Sequence, residues 1–172
     1  EQDRPDLQFQ ASHVSYAARP WFPLWRKGAG HEISAGTLLL NPESRGRVSL
    51  ASADPHALPQ ILLNFLAEEP DRNALREAIR ITRRIFNSEP ARPFIARELA
   101  PGKQAESDEA LDAWLRATVI SAAHPTSTCA MGTNGNAVVD AQLRVRGIEG
   151  LRVADCSVMP RIRRCHFSHK VP

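Results

Sequence analysis

The chain contains no apolar run approaching the roughly 20 residues that a membrane-crossing helix requires. It also lacks a strong charge of either sign. Its 22 basic and 19 acidic side chains leave a formal charge of +3, which gives little reason to expect nucleic acid or a membrane surface. Cysteine is scarce. Cys129, Cys156 and Cys165 are an odd set without regular spacing, so no disulfide framework is expected and reduced thiols in a cytosolic protein are the simpler reading. Two motifs are missing as well. The glycines of "GAGHEISAG" at 28–36 form neither G-x-G-x-x-G nor a phosphate loop, so the chain carries no dinucleotide-binding fingerprint. No G-x-S-x-G surrounds any serine, which removes the usual sign of a hydrolase nucleophile. The opening "EQDRPDLQFQ" has neither an initiator methionine nor a basic-then-apolar leader. The chain is expected to begin inside a longer protein.

What is present can build a globular domain. The sequence is 42% hydrophobic and 24% charged, enough for a real core. Leu7, Phe9 and Ala11 alternate with polar residues and predict a strand. Residues 16–30 hold two prolines, two glycines and the aromatics Tyr16, Trp21, Phe22 and Trp25, which reads as a long loop. "GTLLLN" and "GRVSLAS" flank "PESR" and predict a hairpin, with "QILLNFL" as a further strand. Leu75, Ala78, Ile79, Thr82, Ile85 and Phe86 recur at helical spacing over 70–88. Arg72, Arg76, Arg80 and Arg83 line another face of that helix, either as a phosphate-binding stripe or, by preference, as a solvated face.

A second helix is expected from Ser107 as N-cap, through Leu111, Trp114, Leu115 and Val119. It should stop before the pair His124-Pro125, because a residue ahead of proline is biased away from helix. Beyond "GTNGN", two extended stretches, "AVVDAQLRVRG" and "GLRVADCSV", surround "IEG". Interspersed helices and hairpins predict an α+β fold, with a mainly antiparallel sheet and helices packed on one side.

The stretch with most chemical content is "HPTSTCAMG" at 124–132. A histidine held by proline on a loop, followed by hydroxyl side chains, suits proton transfer near neutral pH. Other chemistries can be written with the same residues. Ser157, His124 and Asp155 make a hydrolase triad in name. His124 with Cys129, or "CHFSH" at 165–169, supplies metal-ligand types without the paired spacing of a structural zinc site, and no metal is expected. For Cys129 a small, buried apolar side chain is the preferred reading.

"HPTSTCAMG" followed by "VVDAQLRVRGIEGLRVADCSVMP" resembles the C-terminal signature of the glucose–methanol–choline (GMC) flavin oxidoreductases. Upstream, "NPESRGRVSLASADPHALPQILLNFLAEEPD" is similar to that family's substrate domain. The resemblance implies an FAD-dependent enzyme that oxidises the CH–OH group of a small alcohol, choline or a relative of it. By position, His124 matches the family's active-site histidine, which assists proton removal from the substrate hydroxyl and steadies the developing alkoxide. Asp155 and Cys156 match the stretch whose backbone lies against FAD near its pyrophosphate and ribityl chain. At position 156 the family more usually carries alanine or glycine.

Further expectations follow from the resemblance. Residues 1–162 correspond to the substrate domain. Residues 163–172, "RRCHFSHKVP", are expected to be a divergent tail, since the family's glycine-asparagine segment and second catalytic residue do not appear after Ile162, and to pack poorly, since Ile162, Cys165, Phe167 and Val171 match neither helical nor strand period. The chain is expected to be a C-terminal part, to need an FAD-binding domain as partner, and to be inactive by itself. No nucleic-acid partner and no clear membrane segment are expected. The expected location is the cytoplasm, with membrane association of a longer parent left open. The loop around Trp21–Trp25 is a candidate substrate mouth, with plain packing as the alternative. A non-catalytic interaction module, or a metal or hydrolytic enzyme using His124, remain the alternatives.

Overall fold

The computed structural model describes residues 5–13 and 31–161. The order of elements is β1 (Leu7–Ser12), β2 (Ser34–Leu39), β3 (Arg47–Ser49), β4 (Gln60–Leu62), α1 (Glu69–Phe86) and α2 (Asp108–Thr118). The fold is α+β, and its named strands pair antiparallel as two separate two-stranded sheets, β1–β2 and β3–β4.

The expected hairpin between β2 and β3 does not form. β2 pairs with β1, in a register that sets Leu7 opposite Leu39, while β3 pairs with β4. The reason lies in "NPES". Pro42 has no N–H to give to a ladder. The next two N–H groups, of Glu43 and Ser44, both donate to the carboxylate of Asp71, each at 2.8 Å. The linker is therefore pinned to the first turn of α1 instead of folding back. Gly46 then admits β4 at close range, since a Cβ there would lie 2.2 Å from the Leu62 carbonyl oxygen. β4 stops early because Asn64 and Leu66 take left-handed backbone, with φ of 52° and 60°.

α1 matches its sequence signals. A proline opens it, Glu69 and Asp71 sit in the first turn, and Arg83 and Arg84 in the last, each placed with the helix dipole. Its apolar side carries Leu75 into a core with Leu66 and Leu115, against which Leu39, Ile79, Trp114 and Val119 pack. α2 begins as expected, with the Ser107 hydroxyl accepting from the Ala110 N–H at 3.2 Å. Leu111, fully buried, and Leu115 fix its inner face.

The arginine face of α1 is neither a phosphate stripe nor uniformly solvated. Arg76 is buried. Its guanidinium bonds Asp112 at 2.8 Å and Glu69 at 2.5 Å, and lies 3.5 Å from Asp108. Arg80 pairs with Asp108, and Arg83 with Glu98 at 2.9 Å. These arginines are used inside the fold to hold α2 and the loop before it against α1.

Candidate functional site

α2 ends at Thr118, where the β-branched run Thr118-Val119-Ile120 begins, and Val119 is an extended C-cap. Residues 120–123 therefore separate the helix from His124, rather than the helix running up to it. Within them the Ser121 hydroxyl accepts from the Ala123 N–H at 3.0 Å. Ala123 is left-handed, φ 60°, and so is Ser127, φ 72°. His124 and Pro125 are exposed, while Thr126 and Ser127 are half-buried with their hydroxyls 3.1 Å apart.

Asp155 caps a short 3-10 turn, Cys156–Val158, by accepting from the Ser157 N–H at 2.8 Å. Hydrogen bonds from the Ser157 side chain and then its backbone hold the Asp155 carboxyl below the ordinary value of 3.8. Ala154, Asp155 and Cys156 are exposed in succession, Ser157 is half-buried and Val158 is buried.

The two motifs meet through main chain. Cys129 donates its N–H to the Ser157 carbonyl at 3.0 Å, and Met131 donates to the Val158 carbonyl at 2.9 Å. On the other side, Val138 donates to Ala130 at 2.9 Å and Gly132 to Val139 at 3.2 Å. The ribbon continues as Arg146 bonds Val138 at 3.0 Å and Val145 bonds Leu151 at 3.0 Å. The two extended stretches read from the sequence thus pair as isolated bridges, Met131 with Val139, Val139 with Val145 and Arg144 with Arg152, not as full strands. Val139, fully buried, is the centre of this ribbon, and Val158 closes one edge.

The hydrolase alternative meets an obstacle here. A triad needs its acid to orient the histidine, whereas the Asp155 carboxylate is engaged directly by Ser157. Among the described residues, no three His, Cys, Asp or Glu side chains converge as a metal site. "CHFSH", the aromatic loop at Trp21–Trp25 and the tail 163–172 lie outside the described residues. No helix among the described residues is long and apolar enough to cross a membrane. Cys129 is half-buried, less enclosed than expected.

The turn at 154–157 suits a flavin. Its side chains are small except for Asp155, so the exposed main chain is open to close approach. The ionised Asp155 carboxylate accepts from hydroxyl groups and repels phosphates. This acceptor fits the ribityl or ribose hydroxyls of FAD better than its pyrophosphate. Sequence reasoning missed the structural roles of Asp71 and Arg76 and the left-handed backbone of Ala123 and Ser127. Only His124 had a local signal, the proline that follows it.

Residues 42–171 match the family described as GMC oxidoreductase, and the chain belongs to that family. It is 48% identical over 132 residues to the oxygen-dependent choline dehydrogenase of Paraburkholderia phymatum, covering 77% of this chain and 23% of that one. With the protein of the same name from Klebsiella pneumoniae it shares 49% over 136 residues, covering 79% and 24%. The chain thus spans under a quarter of the length of these curated relatives. Among solved structures, pyridoxine 4-oxidase from Mesorbium loti superposes with a TM-score of 0.79 at 28% identity, over 94% of this chain and 31% of that one. An FAD-dependent oxidoreductase from Chaetomium thermophilum gives 0.70 at 34% identity, over 78% and 23%.

Proposed function

We propose that this chain supplies the proton-handling part of an FAD-dependent enzyme that oxidises the CH–OH group of a primary alcohol, choline or one like it. The observation that carries this reading is the main-chain pairing of Cys129 and Met131 with Ser157 and Val158. It holds the ribbon that leads from the candidate base His124 against the turn that suits a flavin. The likeness to oxygen-dependent choline dehydrogenases supports the choice of substrate class.

A bound flavin supplies the hydride acceptor. The work of this chain is on the proton. As the alcohol carbon loses hydride, its O–H proton must leave. His124 takes that proton at a ring nitrogen, and the resulting imidazolium steadies the oxygen until the carbonyl forms. The exposed backbone of Ala154–Cys156 seats flavin hydroxyls, with Asp155 as acceptor. The chain lacks a dinucleotide-binding fingerprint, so an FAD-binding domain is the partner in this reading. By itself the 172-residue chain is expected to turn over no alcohol with an artificial acceptor.

The test is anaerobic flavin reduction by substrate in a full-length enzyme carrying this segment, with and without His124→Ala. The expected result is a rate lower by about 10²–10⁴ with normal flavin content, the range for a positioned base. Unchanged reduction would overturn the role of His124. Loss of flavin would move that role to cofactor binding.

A further inference from the structure

We infer that Ala123 and Ser127 are positioning residues, which fix the path of the chain through His124 by standing in left-handed conformation on either side of it. The inference rests on the reading of His124 as the base and deepens it. Five non-glycine residues among those described have positive φ: Asn64, Leu66, Ala123, Ser127 and Leu143. Two of the five bracket one short segment, 124–126. A side chain disfavours this backbone region and glycine does not, yet neither position is glycine. Such conformations persist only where the surroundings over-determine them, and they concentrate where geometry serves function.

The surroundings here can be named. Upstream, the Val119 N–H closes on Leu115 at 2.8 Å, and the Ser121 hydroxyl holds the Ala123 N–H. Downstream, Ser127 is held by the hydroxyl of Thr126, and Cys129 is tied to Ser157. Between them, the ring of Pro125 sets its own φ and confines the backbone of His124 to extended values. Backbone freedom is thus restricted at Ala123, His124, Pro125 and Ser127 in turn. Ala123 offers no polar side-chain atom, so a substrate contact does not account for it. Its contribution is that the conformational cost of placing His124 is met on folding, before any substrate arrives.

The experiment is NMR of the histidine rings in the whole 172-residue chain, with His124 assigned through H124Q, together with thermal melting. Asparagine tolerates left-handed backbone and a β-branched residue does not. Ala123→Asn is therefore expected to leave the His124 ring signals in place. Ala123→Val and Ser127→Val are expected to shift or split them while the signals of His31 and His56 hold. Ala123→Gly and Ser127→Gly lift the restriction without adding bulk, and keep the test decisive where a valine variant does not fold. In these the melting temperature should hold while the His124 signals broaden. His124 signals unchanged in the valine and glycine variants would overturn the inference.

A second readout uses the full-length flavoenzyme. There Ala123→Val should slow flavin reduction by about 10², the scale of a misplaced catalytic group, and Ala123→Asn should restore it. Slowing that Ala123→Asn does not relieve would mean that position 123 acts through bulk rather than backbone, and would overturn the inference. If the ring signals respond as expected but His124→Ala leaves reduction unchanged, the frame stands and the assignment of the base fails.

Discussion

The N–H of Cys129 donates to the carbonyl of Ser157 at 3.0 Å. The bond joins a motif that begins with a histidine to a turn capped by an aspartate, and both partners contribute main chain only. The consequence for mutation is that backbone changes here should outweigh side-chain changes.

Cys129→Ala should therefore be mild, within about 1 kcal/mol of the parent, as for ordinary substitutions outside a fully packed core. Cys129→Pro removes the donor and leaves the Ser157 carbonyl without it, at a cost on the order of 1–3 kcal/mol. Urea unfolding of both variants compares them directly. Hydrogen exchange at the Met131 amide should accelerate only in the proline variant, and equal effects of the two changes would contradict the main-chain account.

Asp71 is a buried acid that holds the linker between β2 and β3 through the N–H groups of Glu43 and Ser44. Asp71→Ala removes both acceptors. A hydrogen bond to a charged group contributes about 1.5–3 kcal/mol, so the loss should exceed that of any exposed acid in the chain. Asp71→Asn keeps one acceptor oxygen and should fall between. Chemical denaturation ranks the three proteins, and the proposed anchoring fails if Asp71→Ala matches an exposed-site control.

Arg76 tests whether the α1–α2 ion pairs are structural. Asp112 lies 2.8 Å from it and is itself mostly covered, with 13% of its side chain exposed. Arg76→Met removes the shortest arginine contact to that carboxylate but leaves Arg72 at 3.7 Å and Arg116 at 3.6 Å, so the loss should stay below the roughly 3–5 kcal/mol of a fully unpaired buried charge. The double change Arg76→Met with Asp112→Leu removes both charges and should recover much of it. A double-mutant cycle on melting stability reads the coupling, and additive single effects would mean the pair does not cooperate.

Acid should loosen the ribbon before alkali does. Backbone and side-chain bonds to Arg144, with a further backbone bond from Gln142, hold the Asp140 carboxyl below its ordinary value of 3.8, and bonds from Ser157 do the same for Asp155. A carboxyl with a depressed folded value contributes stability that is complete above the ordinary range and is lost as pH falls through the folded value. Raising the pH from neutral leaves this contribution unchanged. NMR titration of the two carboxyls checks the direction, and Asp155→Asn should flatten part of the acid limb in a melting-against-pH series.

The helices were readable because their signals are local. Ser107 as N-cap acts within one turn of the group it satisfies, and α1 is marked along its own length by the helical spacing of Leu75, Ala78, Ile79, Thr82 and Phe86. Strand partners were not readable in the same way. "GTLLLN" and "GRVSLAS" look like a hairpin by proximity, and only the distant Asp71, claiming the two N–H groups between them, explains why the chain does not turn there. Arg76 illustrates the same limit. On a helical wheel it belongs to a polar face, and it becomes buried only because α2 presents Asp108 and Asp112 to that face.

Sequence by itself determined the family, through the order and spacing of "HPTSTCAMG" and "VADCSVMP", and with it the candidates His124, Asp155 and Cys156. It also determined the two helices and the loop character around the histidine, because proline and capping residues act on their immediate neighbours. Tertiary structure alone decided that the ribbon after His124 lies against the Asp155 turn, that Asp71 holds the linker between β2 and β3, and that Arg76 is buried against α2. These depend on contacts between residues far apart in the chain. Such contacts form only when α1 and α2 have buried their apolar faces together and the ribbon has closed around Val139, and no local pattern of side chains encodes which distant backbone groups will then meet.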